Sequence, residues 1–362
     1  MKLKQYTIAD FKKLVFEEEF LHGKVIPVTP VRIKSQINNP KALDSDVVLT
    51  VAIDENDEIL GYAGALPDEV NGLRCAWNSC WRVKNGAPAE VSMQLLFTFI
   101  SNWNKNVMFS EMTPHTSRII EALGFCKPVT NYGLRGYFRS CLAEILPRKR
   151  KSLSKIKGIL KLIDVIANLP INLYSILYRN STSIKTEIIA ADKLTDEDEA
   201  FIQKHNSTQP SKRNIADFQW IDRFSWLVDD KDASTEIANK YYFSYKVSRF
   251  RSQWVRFMEN EQLVGLVNFT IRDKELKLPY IYCEEGTETI IGDFFYTMLV
   301  KDKKLASVTT FHPAITSTLL LRKHFLFKTR LPKYSAISKD LYNASGLTDI
   351  SFQMGDGDCV FT

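Results

Sequence analysis

Two side chains that can accept a proton lie close together in the first third of the sequence. Glu111 ends a predicted strand that begins at Val107, and His115 follows four residues later. A carboxylate or a neutral imidazole held in a cleft can act as a general base. The same residue types also fit a surface carboxylate and an imidazole that caps a helix, so both interpretations stay open at this point.

A second candidate site lies between a predicted strand and a predicted long helix. The helix is expected to run from about Pro88 to Asn104, because proline suits the first helical position. Backbone amides at a helix amino terminus attract anions, and two cations in the preceding loop add to that attraction. The alternative is a plain strand-to-helix turn. The candidate anion-binding residues are Arg82, Val83, Lys84, Asn85, Gly86 and Ala87.

Length and composition set the class of protein that must position these groups. The 362 residues suit two domains, or one large one, at about 150 residues per domain. With 45% hydrophobic and 25% charged residues, the chain is predicted to have a sizeable core, which excludes disordered, collagen-like and disulfide-scaffold proteins.

Cysteine and histidine are dispersed. The six cysteines form no CxxC pair, and no two of the five histidines have the spacing of a helical metal-ligand pair. We therefore expect reduced thiols and no metal site. The sequence from Met1 to Phe20 has no apolar core of signal-peptide length, which favours a cytoplasmic protein.

The positive charge of the chain is concentrated in one segment. Residues 1–140 carry 16 Lys and Arg against 15 Asp and Glu, residues 141–180 carry 8 against 2, and residues 181–362 carry 24 against 25. A cationic stretch between two nearly neutral blocks usually lies outside both cores. The sequence therefore predicts a domain over 1–140, a connector over 141–180 and a second domain over 181–362.

The connector combines a basic cluster with a helical stripe. Residues 147–151 are Pro-Arg-Lys-Arg-Lys, and apolar residues then recur at spacings of three and four from Leu153 to Leu169. Polar residues and Pro170 interrupt the stretch, so it is not expected to span a bilayer. One interpretation is a helix that lies through residues 147–169 on the anionic inner face of a membrane. The other is a linker helix packed across both domains with its lysines in water.

The two flanking blocks share one order of elements. Each has a strand, a helix with a capping-box-like start (Thr7 to Asp10, and Thr195 to Asp198), a β-hairpin and a further strand. A long helix, a short strand, a helix that closes on an aromatic residue and final strand material follow in both. The repeated order indicates a duplication.

This order, with the closing motif Glu121-Ala-Leu-Gly-Phe125, resembles the GNAT acyltransferase superfamily. The resemblance covers nearly the whole chain outside the connector. It implies an α/β fold of two GNAT-like domains in tandem, each a twisted mixed sheet flanked by helices. It also implies that acyl-CoA is held by the loop Arg82–Ala87 of the first domain, and that Glu111 and His115 face the cleft as candidate catalytic bases.

The chain departs from the family at three places. The glycines of the usual Arg/Gln-x-x-Gly-x-Gly/Ala signature are replaced by Glu90 and Ser92, or by Val91 and Met93 in another alignment. In the second copy the loop over 284–288 carries three acids, which oppose a pyrophosphate. The position of the family's proton-donating tyrosine holds isoleucine in the first copy and leucine in the second. The first domain is therefore the expected acyl-CoA half, and the second a degenerate or acceptor-side domain.

Aromatic residues crowd the start of the second copy, among them Trp220, Trp226 and the run Tyr241–Val247. They fit a cleft that stacks on a sugar or peptide, or simply strand core, which we favour for most of them. Neither the near-neutral charge of this block nor any RNA-binding signature favours nucleic acid.

The sequence thus predicts an acyl-CoA-dependent N-acyltransferase, with acetyl-CoA or another acyl-CoA as co-substrate and no metal. The expected acceptor is an amine of a small molecule, an amino sugar or a cell-envelope precursor, and the expected location is the cytoplasm, with peripheral membrane contact as an option. The alternative is a catalytically silent GNAT-like scaffold that binds a ligand, a partner or a membrane surface.

Overall fold

The computed structural model describes residues 1–178, 186–232 and 235–361, and over these residues the chain forms fourteen strands and twelve α-helices. The strands are β1 (Lys2–Thr7), β2 (Val47–Ile53), β3 (Ile59–Val70), β4 (Leu73–Val83), β5 (Val107–Met112), β6 (Cys126–Tyr137), β7 (Glu187–Ala191), β8 (Val228–Asp229), β9 (Lys246–Val247), β10 (Phe250–Glu259), β11 (Gln262–Arg272), β12 (Glu275–Cys283), β13 (Ser307–Thr310) and β14 (Phe327–Ser338). The helices are α1 (Ile8–Lys13), α2 (Pro30–Ile37), α3 (Ala89–Asn102), α4 (Pro114–Ala122), α5 (Leu142–Lys149), α6 (Lys157–Leu177), α7 (Asp196–Lys204), α8 (Ile215–Arg223), α9 (Glu236–Lys240), α10 (Glu288–Lys301), α11 (Pro313–Leu321) and α12 (Lys339–Ser345).

Local sequence signals fix the starts of the first helix in each half. The Thr7 hydroxyl accepts a hydrogen bond from the backbone N–H of Asp10, whose carboxylate accepts one from the Thr7 N–H at 2.8 Å. Thr195 and Asp198 repeat this arrangement at α7. Both predicted capping boxes are confirmed, and each satisfies backbone amides that a helix start leaves free.

The chain divides into two compact units. Unit 1 comprises the described residues of Met1–Asn131, Thr195–Ser248 and Lys333–Thr362. Its main sheet has the order β1-β2-β3-β4-β5-β14, in which β4 and β5 are parallel and the other neighbours antiparallel. Helices α1 and α2 cover one side of a core that includes Tyr62 and Cys80 of the sheet. On the other side of the sheet, α3 packs through Val91 and Leu95.

Unit 2 comprises the described residues of Tyr132–Leu194 and Arg249–Pro332. Its sheet has the order β7-β10-β11-β12-β13-β6, again with one parallel pair, β12 and β13, among antiparallel neighbours. Its core contains α10 and α11 side chains such as Phe295, Leu299 and Ile315. The predicted α/β fold is confirmed, because each unit contributes mixed parallel and antiparallel strands flanked by helices.

The sixth strand of each sheet comes from the other half of the sequence. In unit 1, Tyr334, Ala336 and Ile337 of β14 pair with β5. In unit 2, residues 134–137 of β6 pair with β13. The compact units therefore interleave along the chain, whereas the sequence predicts the contiguous ranges 1–140, 141–180 and 181–362. The 180/181 boundary lies outside the described residues.

A buried arginine anchors the connector within unit 2. The Arg139 guanidinium, 3% exposed, donates to the carbonyls of Leu299 and Val300 at 2.6 and 2.7 Å, and to the Ser175 hydroxyl of α6 at 3.0 Å. Leu299 and Val300 lie in the last turn of α10, whose carbonyls lack partners within the helix. Because a cation also suits the negative end of the helix dipole, Arg139 fastens α6 to the end of α10.

Candidate functional site

Two parallel strands separate in the middle of unit 1. β4 and β5 pair only at Ala76 with Val107 and at Trp77 with Met108, although both strands continue beyond these pairs. Beyond these two pairs, the backbone N–H and C=O groups of β4 and β5 no longer pair with each other. In unit 2, β12 and β13 pair over Glu275–Lys277 only, while β12 continues to Cys283. In both units, therefore, the two parallel central strands separate after a few residues.

Residues 352–361, here named the closing segment, lie in unit 1 against the separating strands. A Cβ on Gly357 would stand 2.5 Å from the Ser110 hydroxyl of β5 and 3.3 Å from the Trp77 ring of β4, and its φ of +74° is also one that favours glycine. The Cys359 thiol lies 3.4 Å from the same hydroxyl. The Phe361 ring stacks on Trp226 with ring centroids 4.4 Å apart. These contacts hold the segment where β4 and β5 part.

The closing segment brings one carboxylate to the cleft. Ser79 of β4 donates a hydrogen bond to the Asp358 carboxylate at 3.0 Å, and an Arg32 guanidinium nitrogen lies 3.9 Å from the same oxygen. Ser79 is the extra residue of a β-bulge, since Gly64 pairs with Cys80 and Ala65 with Asn78. A bulge turns a side chain away from the regular alternation of a strand. The Asp358 side chain keeps 19% of its surface exposed, so a ligand can reach it.

The surroundings of Asp358 suit a proton acceptor. Burial raises the pKa of Asp358 to about 6, and the Glu111 carboxylate adds repulsion, while Arg32 and the Ser79 hydroxyl act in the opposite direction. At neutral pH the carboxyl group is therefore ionised, yet it binds a proton far more readily than an ordinary aspartate does. A general base requires this combination of exposure and raised pKa.

A small cavity of about 20 Å³ adjoins this site. Arg32 lies over the Trp226 ring at 4.0 Å and over the Tyr241 ring at 5.0 Å, so its cation is sandwiched by aromatic faces. The buried Gln36 Oε1 and Trp226 Nε1 atoms have no hydrogen-bond partner among the described residues. A volume of this size holds about one water molecule. The cavity thus offers an acceptor and a donor to a polar group beside Asp358.

The thiol next to the cavity is not a nucleophile. Burial raises the pKa of Cys80 to about 11, which keeps it protonated at neutral pH. Of the aromatic residues predicted near this region, Trp226 and Tyr241 line the cavity. The run after Tyr241 is not the strand that its composition suggests, because residues 242–243 form a turn, 244–245 belong to no element, and only Lys246–Val247 is extended in β9.

The two predicted bases, Glu111 and His115, lie in different surroundings. Glu111 is exposed on β5 with φ +48°, a left-handed conformation at an irregular point of the pairing with β14, and its charge acts on Asp358. His115 is exposed in the first turn of α4, and over the described residues no contact joins it to Asp358. Sequence reasoning missed Asp358 altogether, because the surrounding Gly-Asp-Gly-Asp motif has the composition of a surface turn.

The predicted cofactor loop borders a cationic groove of about 400 Å³ in unit 1. Arg82, Lys84 and Asn85 line it, together with Lys24 and Lys240 of neighbouring segments. Gly86 has φ +83° and is exposed, so the loop can follow an anion closely. Val83 and Ala87 instead pack against the core under α3, which begins at Ala89 with Pro88 as its N-cap.

The acids in this groove only partly offset its cations. Glu58 pairs with both Lys24 and Lys84, at 3.0 and 3.1 Å, and Glu236 pairs with Lys240. Arg82 stacks on the Tyr242 ring at 3.9 Å. Four cations facing two carboxylates leave a net positive charge that suits a phosphorylated ligand.

The corresponding loop of unit 2 has the opposite character. Gly286 donates its backbone N–H to the Glu288 carboxylate at 2.8 Å. A backbone amide at the start of α10 is therefore already bonded to an acidic side chain of the same loop. With Glu285 in the same turn, the loop repels anions. The loop of unit 1, with Arg82 and Lys84, is thus the more cationic of the two loops.

Comparisons with known proteins give structural matches only. No protein-family model matches the chain, and no curated protein does. A probable N-acyltransferase from Enterococcus faecalis aligns with a TM-score of 0.51 and 9% identity over 94% of this chain and 73% of its own. A GCN5-related N-acetyltransferase from Anabaena variabilis aligns at 0.46 and 11% over 92% and 72%. A tandem GNAT protein of the clavulanic acid biosynthesis pathway aligns at 0.44 and 12% over 93% and 98%. The first of these matches shows that the chain shares its fold with the probable N-acyltransferase from Enterococcus faecalis.

Proposed function

We propose that the protein is an acyl-CoA-dependent N-acyltransferase whose reaction takes place in unit 1, with Asp358 as the general base. The observation that carries the proposal is the position of this carboxylate. It lies where β4 and β5 separate, it is partly exposed, and its pKa is raised to about 6. Ser79 donates a hydrogen bond to the carboxylate and Arg32 lies near it, so both keep it oriented.

The proposed chemistry is an acyl transfer between a thioester and an amine. Asp358 accepts a proton from the acceptor nitrogen as that nitrogen attacks the thioester carbonyl. The C–N bond forms, the C–S bond breaks, and the CoA thiolate leaves with the proton that Asp358 returns. The carboxylate therefore ends the cycle as it began. The acceptor is proposed to be an amine of a small molecule, an amino sugar or a cell-envelope precursor.

Binding of acetyl-CoA tests whether the cationic groove holds the co-substrate. The double variant Arg82→Glu/Lys84→Glu places two acids in the cationic groove, next to Glu58. We expect it to weaken acetyl-CoA binding by at least about tenfold in Kd, measured by calorimetry on the full chain, because like charges then face the phosphates. Lys13→Glu, an exposed lysine of α1, is the matched control and should leave Kd unchanged.

Two outcomes of this experiment oppose the proposal. If the wild-type protein fails to bind acetyl-CoA at millimolar concentration, the silent scaffold is favoured. The closing segment is consistent with that alternative, because its Gly357 and Cys359 lie against Ser110 of β5, where β4 and β5 separate. Equal weakening by Lys13→Glu would assign the effect to overall charge rather than to the groove.

The pH dependence of turnover is expected to report on Glu111. Its negative charge raises the pKa of Asp358, so Glu111→Gln should lower that pKa and move the acid limb of kcat/KM to lower pH. The profile is measured by release of the CoA thiol under first-order conditions. Glu55→Gln, an exposed change in the β2–β3 turn, serves as the control. A limb that stays in place, or moves to higher pH, would contradict the coupling.

A further inference from the structure

The long helix of unit 2 has its polar face turned inward. The Asp164 carboxylate, 8% exposed, accepts hydrogen bonds from the Ser140 hydroxyl and from the backbone N–H groups of Leu142 and Ala143 at 2.6 to 2.9 Å. Asn168 exchanges two hydrogen bonds with the Ser140 backbone. Leu160 is also buried on this side, and Ile171 and Tyr174 pack against the core of unit 2, so α6 is attached through polar and apolar contacts together. A surface helix normally exposes a polar face on its other side.

The outward face of α6 is apolar along its whole length. Nine aliphatic side chains there are between 43% and 69% exposed, and they belong to Ile159, Leu162, Ile163, Val165, Ile166, Leu169, Leu173, Ile176 and Leu177. The 21 residues of α6 extend about 31 Å at 1.5 Å per residue. A continuous apolar surface of this length marks an interaction site, because monomeric proteins seldom expose one.

Cations accompany this face. Lys149, Arg150, Lys155, Lys157 and Lys161 are all exposed between the end of α5 and the second turn of α6. Asp164, the only acid of α6, points inward to Ser140. An apolar stripe that follows a basic cluster, with the acid of the helix bonded to Ser140 of unit 2, is complementary to a lipid surface that carries negative charge.

The contacts of α6 favour a helix that lies on a membrane rather than across it. Residues Ser152–Leu177 are long and apolar enough to span a bilayer, and 17% of their apolar 18-residue stretch is buried. Yet Asp164, Asn168 and Ser175 bond to other parts of unit 2. A span surrounded by lipid would have to break these hydrogen bonds, whereas a helix in the interfacial plane keeps them.

We propose that the outward face of α6 docks unit 2 on the surface of an anionic membrane. The aliphatic side chains enter the boundary of the acyl chains, and the lysines remain at the headgroups, as long cationic side chains do at interfaces. This surface is separate from the groove and the carboxylate of unit 1. The inference therefore does not depend on the proposed transferase reaction.

Vesicle flotation of the full chain tests the proposal. We expect the protein to float with mixed phosphatidylcholine and phosphatidylglycerol vesicles, to do so less at high salt, and to bind pure phosphatidylcholine weakly. The variant Leu162→Glu/Leu169→Glu should lower binding by at least about tenfold, because both side chains are 60% exposed at the centre of the face. Thermal melts should match those of the wild type, since neither side chain is part of the core.

A matched variant separates docking from general surface hydrophobicity. Leu321→Glu removes another apolar side chain of unit 2, 82% exposed at the end of α11, and should leave flotation unchanged. Equal binding to neutral and anionic vesicles, or none, overturns the proposal, as does a double variant that floats like the wild type. If light scattering shows a dimer that the double variant abolishes, without vesicle binding, the occupant is a second copy of the chain and the membrane proposal is wrong.

Discussion

Asp358→Asn is expected to lower kcat/KM for acyl transfer by about 10²- to 10⁴-fold, the usual contribution of a positioned general base. Asparagine keeps the size of the side chain and can still accept a hydrogen bond from Ser79, but it takes up no proton. The affinity for acetyl-CoA should be unchanged, because the cationic groove of Arg82 and Lys84 is intact. Thiol release under steady-state conditions measures the rate, and calorimetry measures the affinity.

Stability distinguishes a catalytic role of Asp358 from a structural one. Because burial raises its pKa, the ionised carboxylate is less favoured in the folded protein than in the unfolded chain at neutral pH. Asp358→Asn should therefore leave the melting temperature equal or higher. Asp349→Asn, an exposed neighbour in sequence, should alter neither rate nor stability. An active Asp358→Asn enzyme would refute the assignment, and an inactive, destabilised one would make the residue structural.

Lys41→Met is expected to destabilise unit 1 by about 3 to 5 kcal/mol, the usual cost of removing one partner of a buried ion pair. The Lys41 ammonium lies 2.6 Å from Asp68 and 3.5 Å from Asp217, and both carboxylates are at most 3% exposed. Asp68 also accepts hydrogen bonds from Trp77 and Ser211. Methionine fills the volume but leaves two buried negative charges, so the cost is electrostatic. Urea unfolding followed by tryptophan fluorescence measures the loss.

Two further measurements check this explanation. Burial alone would raise the pKa of Asp68, but Lys41 and Arg213 hold it well below its usual range. The ion pair should therefore contribute fully at neutral pH and lose its contribution as the pH falls toward the folded-state pKa. Lys12→Met removes an exposed pair with Asp44 and should cost no more than about 1 kcal/mol. A similar small loss for Lys41→Met would mean that the network is not stabilising.

Much of the fold could be predicted because its signals are local. The capping boxes at Thr7 and Thr195, both hairpins and the two long helices each depend on residues a few positions apart. The exchange of β6 and β14 could not be predicted, because both segments carry the same strand signal. Which neighbour each one pairs with depends on contacts some 200 residues away, as between Tyr334 and Met112.

The candidate site was harder to predict from the sequence than the fold. The loop with Arg82 and Lys84 could be identified from its charges and its place before a helix, and those two residues line the groove. Asp358 could not, since burial in the folded protein raises its pKa and the residues that it contacts, Ser79 and Arg32, are far away in the sequence. The periodicity of the connector predicted the helix, but not that Asp164 and Asn168 turn its polar side inward.

The exchange of strands also sets the order in which the protein can become complete during translation. The first five strands of the unit 1 sheet are synthesised well before Tyr334, so the edge of β5 waits for its neighbour while about 200 further residues are added. At 5 to 20 residues per second this interval is on the order of tens of seconds. An open strand edge can pair with other chains, so the edge of β5 is exposed to such pairing during this interval. Asp358 arrives still later, and the carboxylate therefore joins the cleft only after both sheets have been synthesised.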